Sequence, residues 1–79
     1  MSLDITIEYC SVWNYEPKAV GLAEKLLTLK QDIRSLKLIP AGGGVFEVSI
    51  NDQKIYSKLE TGKFPEPDLI LKAVKARLK

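Results

Sequence analysis

The sequence predicts an α/β (α+β) fold: a four-stranded mixed sheet with two helices on one face, in the order β-α-β-β-β-α. Three features of the chain carry this prediction. Residues Leu3 to Tyr9 alternate, with Leu3, Ile5, Ile7 and Tyr9 on one side and Asp4, Thr6 and Glu8 on the other. Such a period of two marks a strand covered on one face only. Ala19, Leu22, Ala23, Leu26 and Leu29 recur at helical spacing, with Val20 and Leu27 widening the stripe. Val45 to Ile50 and Lys54 to Leu59 flank the short polar stretch Asn51-Asp52-Gln53, which suits a hairpin turn.

The remaining elements follow in order. The first helix starts between Asn14 and Pro17, where Asn14 is a suitable cap and Pro17 fits a first turn that needs no N–H. It ends near Leu29 or Lys30. Ile33 to Ile39 forms the second strand, which Pro40 stops, and Ala41-Gly42-Gly43-Gly44 forms a loop. A right-handed crossover through the helix makes strands one and two parallel neighbours, and the hairpin extends the sheet antiparallel. Thr61 to Pro67 is a Gly- and Pro-containing loop in which Phe64-Pro65 plugs the base of the last helix. That helix covers Leu69 to Leu78, with Pro67 where a first helical residue would sit.

Residues 1–79 are read as a single domain. A chain this short buries roughly 60% of its unfolded surface, so its core is marginal, but 46% hydrophobic residues suffice for folding. Twelve Lys and Arg against ten Asp and Glu leave a net charge of +2, too weak a field for nucleic acid. The basic run Lys72, Lys75, Arg77 and Lys79 reads as a solvated helix face completing the dipole. One cysteine excludes an intrachain disulfide. The absence of histidine removes Ser-His and Cys-His catalysis and most metal sites, so no metal is expected. With no leader pattern and no membrane-spanning apolar run, the expectation is a soluble, cytoplasmic monomer without membrane contact.

The chemistry concentrates in Tyr9-Cys10-Ser11-Val12-Trp13-Asn14-Tyr15, where the first strand runs into the first helix. Free N–H groups and the positive dipole end of a helix favour an anion. A solvent-reachable Cys10 in that first turn is therefore expected to ionise readily and act as a nucleophile. The run Gly42-Gly43-Gly44 lacks the Lys-Ser/Thr of a phosphate-binding loop and precedes a strand, so it reads as backbone freedom. Glu47 is expected to be an exposed strand residue rather than a proton shuttle.

Three segments in order resemble the selenoprotein W-like (Rdx) family, within the group of selenoproteins W, T and H. Ile7-Glu8-Tyr9-Cys10-Ser11-Val12-Trp13 is similar to the family's Y-C-x-x-C or Y-C-x-x-selenocysteine turn. Leu38 to Val48 resembles its P-x-x-x-G-x-F-E-V segment, and Lys58 with Gly62-Lys63-Phe64-Pro65-Glu66 its G-x-F-P-E stretch. The resemblance implies a thioredoxin-like fold and a redox-type activity. It also implies that the glycine loop lies beside the thiol, with Ser11, Val12, Gly43 and Gly44 binding substrate. In the family, the first Cys and the Cys or selenocysteine three residues on form a reversible bond. Here Trp13 holds the second position, so a two-cysteine cycle is impossible for this chain.

Three readings of Cys10 and Trp13 stand side by side. The first is single-thiol exchange at Cys10, resolved by glutathione or by a thiol/disulfide protein, with a Cys10-linked dimer on oxidation. No cofactor is bound in this reading, and glutathione is the co-substrate. The second is a non-catalytic domain that binds a protein or ligand through the Trp13 turn, beside the plainer readings that Trp13 packs over the edge of the first helix and that Cys10 is a small buried hydrophobe. The third is a decoding substitution, because the selenocysteine codon UGA differs by one base from the Trp codon UGG. The native codon at position 13 decides it.

Overall fold

In a computed structural model, which describes residues 3–78, the opening alternation becomes the central strand β1 (Leu3–Cys10). Leu3, Ile5, Ile7 and Tyr9 are buried, while Asp4, Thr6 and Glu8 are half-buried on the other face. On one side β1 pairs in parallel with β2 (Ile33–Ala41), and on the other antiparallel with β3 (Phe46–Ile50). The strand β4 (Gln53–Ser57) pairs with β3, so the sheet runs β2-β1-β3-β4. The mixed four-stranded sheet expected from the sequence is therefore present. Lys79, the last of the basic run, lies outside the described residues.

Two helices supply the cover. The helix α1 (Glu16–Leu26) buries Ala19, Leu22, Ala23 and Leu26. A later helix, α3 (Pro67–Ala76), buries Ile70 and Val74, and Pro67 opens it as expected. These side chains join the inward residues of β1 and β3 in one hydrophobic cluster. Each large aliphatic side chain so enclosed contributes about 1.5–3 kcal/mol. The opposite face of the sheet carries a polar depression bordered by Asp4, Thr6, Ser35 and Lys37.

The structure departs from the sequence expectations at boundaries, each time for a local reason. The helix α1 ends at Leu26 and tightens into a 3₁₀ segment, Leu27–Asp32, in which Lys30 takes a positive φ of 55°. Leu29 still packs against the core, but Val20 and Leu27 are exposed and do not widen the buried stripe. Pro40 lies inside β2 opposite Tyr9 and does not end it. Because β2 is an edge strand, proline's missing N–H removes no bond from a second neighbour.

The strand β4 starts at Gln53, since Asn51 (φ 50°) and Asp52 (φ 68°) alone make the turn. Two consecutive left-handed residues match the twist of a tight hairpin. The same strand ends at Ser57, and Lys58–Thr61 form the one-turn helix α2 where the sequence suggested more strand. The Ser57 hydroxyl accepts the Glu60 N–H at 3.3 Å, and Gly62 (φ 79°) closes the turn with its N–H on the Lys58 carbonyl at 2.7 Å. Serine before and glycine after a helical turn are start and stop signals that the sequence carried.

Two carboxylates tie the strands. Asp4 accepts hydrogen bonds from the Arg34 guanidinium and from the Ser35 hydroxyl at 2.6 Å. These partners, Arg34 foremost, lower the Asp4 pKa from 3.8 to about 2. Glu47, expected to be exposed, is only 4% exposed. Its Oε1 lies 3.1 Å from the Lys54 ammonium and its Oε2 accepts the Lys58 N–H at 3.1 Å, so β4 and α2 fold over it. Burial raises the Glu47 pKa, but Ser57 and Lys54 outweigh burial and hold it below its ordinary 4.5. Both oxygens are engaged structurally, which leaves no proton-shuttling role for Glu47.

An acid dependence follows. Both pKa values are lower folded than unfolded, so the unfolded chain binds more protons and stability rises with pH. The contribution is complete above the ordinary values of 3.8 and 4.5 and is lost as pH falls toward the folded values. Urea midpoints are expected to drop between about pH 5 and pH 2, and the drop to shrink in Asp4→Asn with Glu47→Gln. A midpoint that is flat across this window in the unmodified protein contradicts the assignment.

Candidate functional site

The C-terminal end of β1 carries Cys10 to the rim of the sheet, beside the end of β2 and the loop entering β3. The Cys10 N–H donates to the Val45 carbonyl at 2.9 Å, and the Ser11 N–H to the Ala41 carbonyl at 3.0 Å. The Ser11 hydroxyl donates to that same carbonyl at 3.3 Å. The glycine loop is thus clamped to the Cys10 turn at both of its ends.

The turn itself differs from the sequence reading. Asn14 is not the helix cap; it adopts a left-handed conformation (φ 59°) and its N–H donates to the Ser11 carbonyl at 3.2 Å. Asparagine tolerates this region better than most residues. Tyr15 holds the cap position without a side-chain bond, and α1 begins at Glu16. Cys10 therefore lies outside the helix's first turn. The Tyr15 N–H that would favour an anion is already bonded to the Cys10 carbonyl at 3.0 Å.

The exposure of the thiol is the reverse of that expected. Cys10 is 0% exposed, whereas Val12 is 78% and Trp13 62% exposed. The two backbone clamps draw the Ala41–Val45 loop against the end of β1 and leave the outer residues of the turn at its tip. Cys10 is a free, buried thiol, and the expectation of a solvent-reachable sulfur is corrected. Ser11 and Gly43 are exposed, while Gly44 is buried.

Gly44 has a specific reason to be glycine. Its φ is 74°, and a Cβ there would meet Trp13 Cζ3 at 2.6 Å. The indole rests on the bare glycine backbone, so one side of Trp13 is packed and the other faces solvent.

Sequence reasoning missed an aromatic relay behind the turn. Trp13 meets Tyr15 edge-on at 6.2 Å between centroids, Tyr15 meets Phe64 at 4.7 Å, and Phe64 meets Phe46 at 5.4 Å. Lys18 Nζ stands 4.9 Å from the Phe64 centroid, and Lys58 Nζ stands 5.2 Å from Phe64 and 5.5 Å from Tyr15. Phe64 is more than a plug before the last helix. It joins the turn to the core through Phe46. The four rings lie in three separate segments with no common period, so only the folded topology reveals them.

Among the described residues there is no cluster of metal-ligating side chains and no cis peptide bond, and no helix is long and apolar enough to cross a membrane. The central strand that runs out into this turn, with a mixed sheet backed by helices, defines a thioredoxin-like domain. The chain belongs to the Rdx family, whose model matches residues 4–76. It is 38% identical over 69 residues to migration and invasion enhancer 1 of Bos taurus, covering 84% of this chain and 57% of that protein. The chain thus spans about three fifths of that relative's length. A thioredoxin reductase-like selenoprotein T homolog of Drosophila melanogaster is 42% identical over 31 residues, 39% of this chain and 16% of that one. The crystal structure of a selenoprotein W-related protein from Vibrio cholerae superposes with a TM-score of 0.94 at 29% identity, covering all of both chains.

Proposed function

We propose that this Rdx protein is a selenoprotein W-like, cytoplasmic redox-type protein in which Cys10 supports single-thiol exchange only, gated by opening of the Ser11–Asn14 turn. The observation that carries the gating is the contrast between a wholly buried Cys10 and an exposed Trp13. In the open form the Cys10 thiolate attacks one sulfur of a disulfide, such as oxidised glutathione. The disulfide bond breaks, a mixed disulfide forms on Cys10, and one thiolate leaves. A second outside thiol then attacks the mixed disulfide and frees Cys10, because Trp13 supplies no internal resolving atom.

Mass spectrometry after treatment with oxidised glutathione tests this. A Cys10 adduct is expected in the folded protein, formed at roughly one hundredth or less of the unfolded chain's rate, because opening must come first. Equal rates in the two states overturn the gating. Complete inertness of the folded protein, with a reactive unfolded chain, overturns exchange itself. Non-reducing electrophoresis reads the Cys10-linked dimer in the same samples.

The exposed Trp13 favours a second reading, a non-catalytic domain that binds a protein or ligand through its turn. Inertness toward glutathione would leave this reading in place.

A further inference from the structure

We propose that the Trp13 turn, with Lys18 and Lys58 behind it, docks an acidic peptide segment of a partner protein bearing an apolar anchor residue. This deepens the binding reading of the turn and rests on it for its location, but not on any chemistry of Cys10.

Charge is the first argument. The ion pairs of the described residues join Lys25 to Asp68 at 2.7 Å, Lys54 to Glu47 at 3.1 Å, and Arg34 to Asp4. Lys18 and Lys58 are in none of them, although both ammonium groups converge on the single Phe64 ring. An aromatic face holds an ammonium group with about 0.5–1 kcal/mol at an exposed site, without neutralising its charge. Two ammonium groups held at one ring without a carboxylate partner offer positive charge to a carboxylate ligand. Glu16, Glu60 and Glu66, each two positions from Lys18, Lys58 or Phe64, form no ion pair among the described residues.

Apolar surface is the second argument. Val12 and Trp13 project from the turn next to Tyr15, whose ring also carries Lys58. The relay from Trp13 through Tyr15 and Phe64 to Phe46 fixes the ring positions in advance. Little side-chain entropy is then lost on binding, which is how aromatic anchors come to dominate interfaces. Carboxylates at the lysines and an apolar side chain on the indole make a complementary pair of contacts. A short acidic stretch interrupted by leucine or phenylalanine has that chemistry.

Trp13 is the only tryptophan in the chain, so its fluorescence reports this surface without a label. The probe is a synthetic peptide of Asp and Glu around one Leu, compared with its Asn and Gln isostere. A saturable fluorescence change that weakens with added salt is expected for the acidic peptide and not for the isostere. The variant combining Lys18→Gln and Lys58→Gln, its fold checked by circular dichroism, is expected to weaken binding about tenfold or more. Cys10→Ser is expected to bind like the unmodified chain, so loss of thiol exchange and loss of docking are read separately. Unchanged affinity in the double lysine variant overturns the proposal. So does an equal response to the isostere, or a response to anionic phospholipid vesicles with none to peptide.

Discussion

Replacing Trp13 with cysteine is expected to turn an opening-limited single thiol into a fast dithiol centre. Position 13 is the exposed member of the pair and Cys10 the buried one. A sulfur at position 13 meets an incoming disulfide without any opening of the turn. Once it is bound as a mixed disulfide, Cys10 is the internal thiol that can displace it. Three residues of spacing across a tight turn bring two such side chains within disulfide reach. Because the second step becomes intramolecular, disulfide exchange is expected to accelerate by roughly a hundredfold or more over the unmodified chain. Two measurements check this: the exchange rate with a chromogenic disulfide, and the intact mass after oxidation. The mass should fall by the two hydrogens lost when Cys10 bonds to the introduced thiol. A Trp13→Cys protein that accumulates a glutathione adduct at position 13 and never closes the ring would show that the turn is no exchange centre. A native UGA codon at this position would make the substitution a restoration, and a UGG codon would make it an invention.

Most of the fold was legible because its signals are periodic. The alternation of Leu3 to Tyr9 specified the central strand, and the stripe from Ala19 to Leu26 specified the helix that covers it. The residues that misled are those whose fate is set by neighbours distant in sequence. Pro40 is a stop signal in isolation, yet it sits within β2 because the topology makes β2 an edge. Glu47 looks like a solvated strand residue until Lys54 and the Lys58 amide close over it. The Ser57-to-Gly62 signature of α2 is present in the sequence, but apolar Leu59 within it also fits a continuing strand.

The candidate site was legible by place and not by exposure. Cys10, Ser11, Val12, Trp13, Gly43 and Gly44 do gather at one end of the sheet. Which of them faces water depended on the bonds to Ala41 and Val45, formed by segments about thirty residues away. The helix begins at Glu16, inside the expected window. The helix-start argument for the thiol failed because Asn14 is left-handed and the turn up to the Tyr15 cap separates Cys10 from the first helical residue. The aromatic relay was invisible for the same reason, since its rings meet only after β3 and the loop before α3 are placed.

Truncating Phe46 to alanine is expected to remove a large share of the domain's stability. The ring is only 1% exposed, pairs in register with Tyr9 on β1, and meets Phe64 edge-on. A buried Phe→Ala change costs about 3–5 kcal/mol through lost transfer energy and the cavity left behind. A chain of this length holds only about 4–12 kcal/mol in total. The loss should also reach the thiol. Phe46 follows Val45, whose carbonyl holds the Cys10 N–H, and the missing ring frees that clamp and unseats Phe64 beneath Tyr15. Cys10 alkylation under native conditions is therefore expected to quicken together with the fall in the urea midpoint. Leu59→Ala, at a side chain 64% exposed, is the control and should shift stability by no more than about 0.5 kcal/mol. A Phe46→Ala protein that loses less than about 1 kcal/mol would mean that the core does not depend on this ring. One that loses the expected stability with Cys10 labelling unchanged would separate the thiol's opening from the aromatic core, and the gate would then reside in the Ser11–Asn14 turn alone.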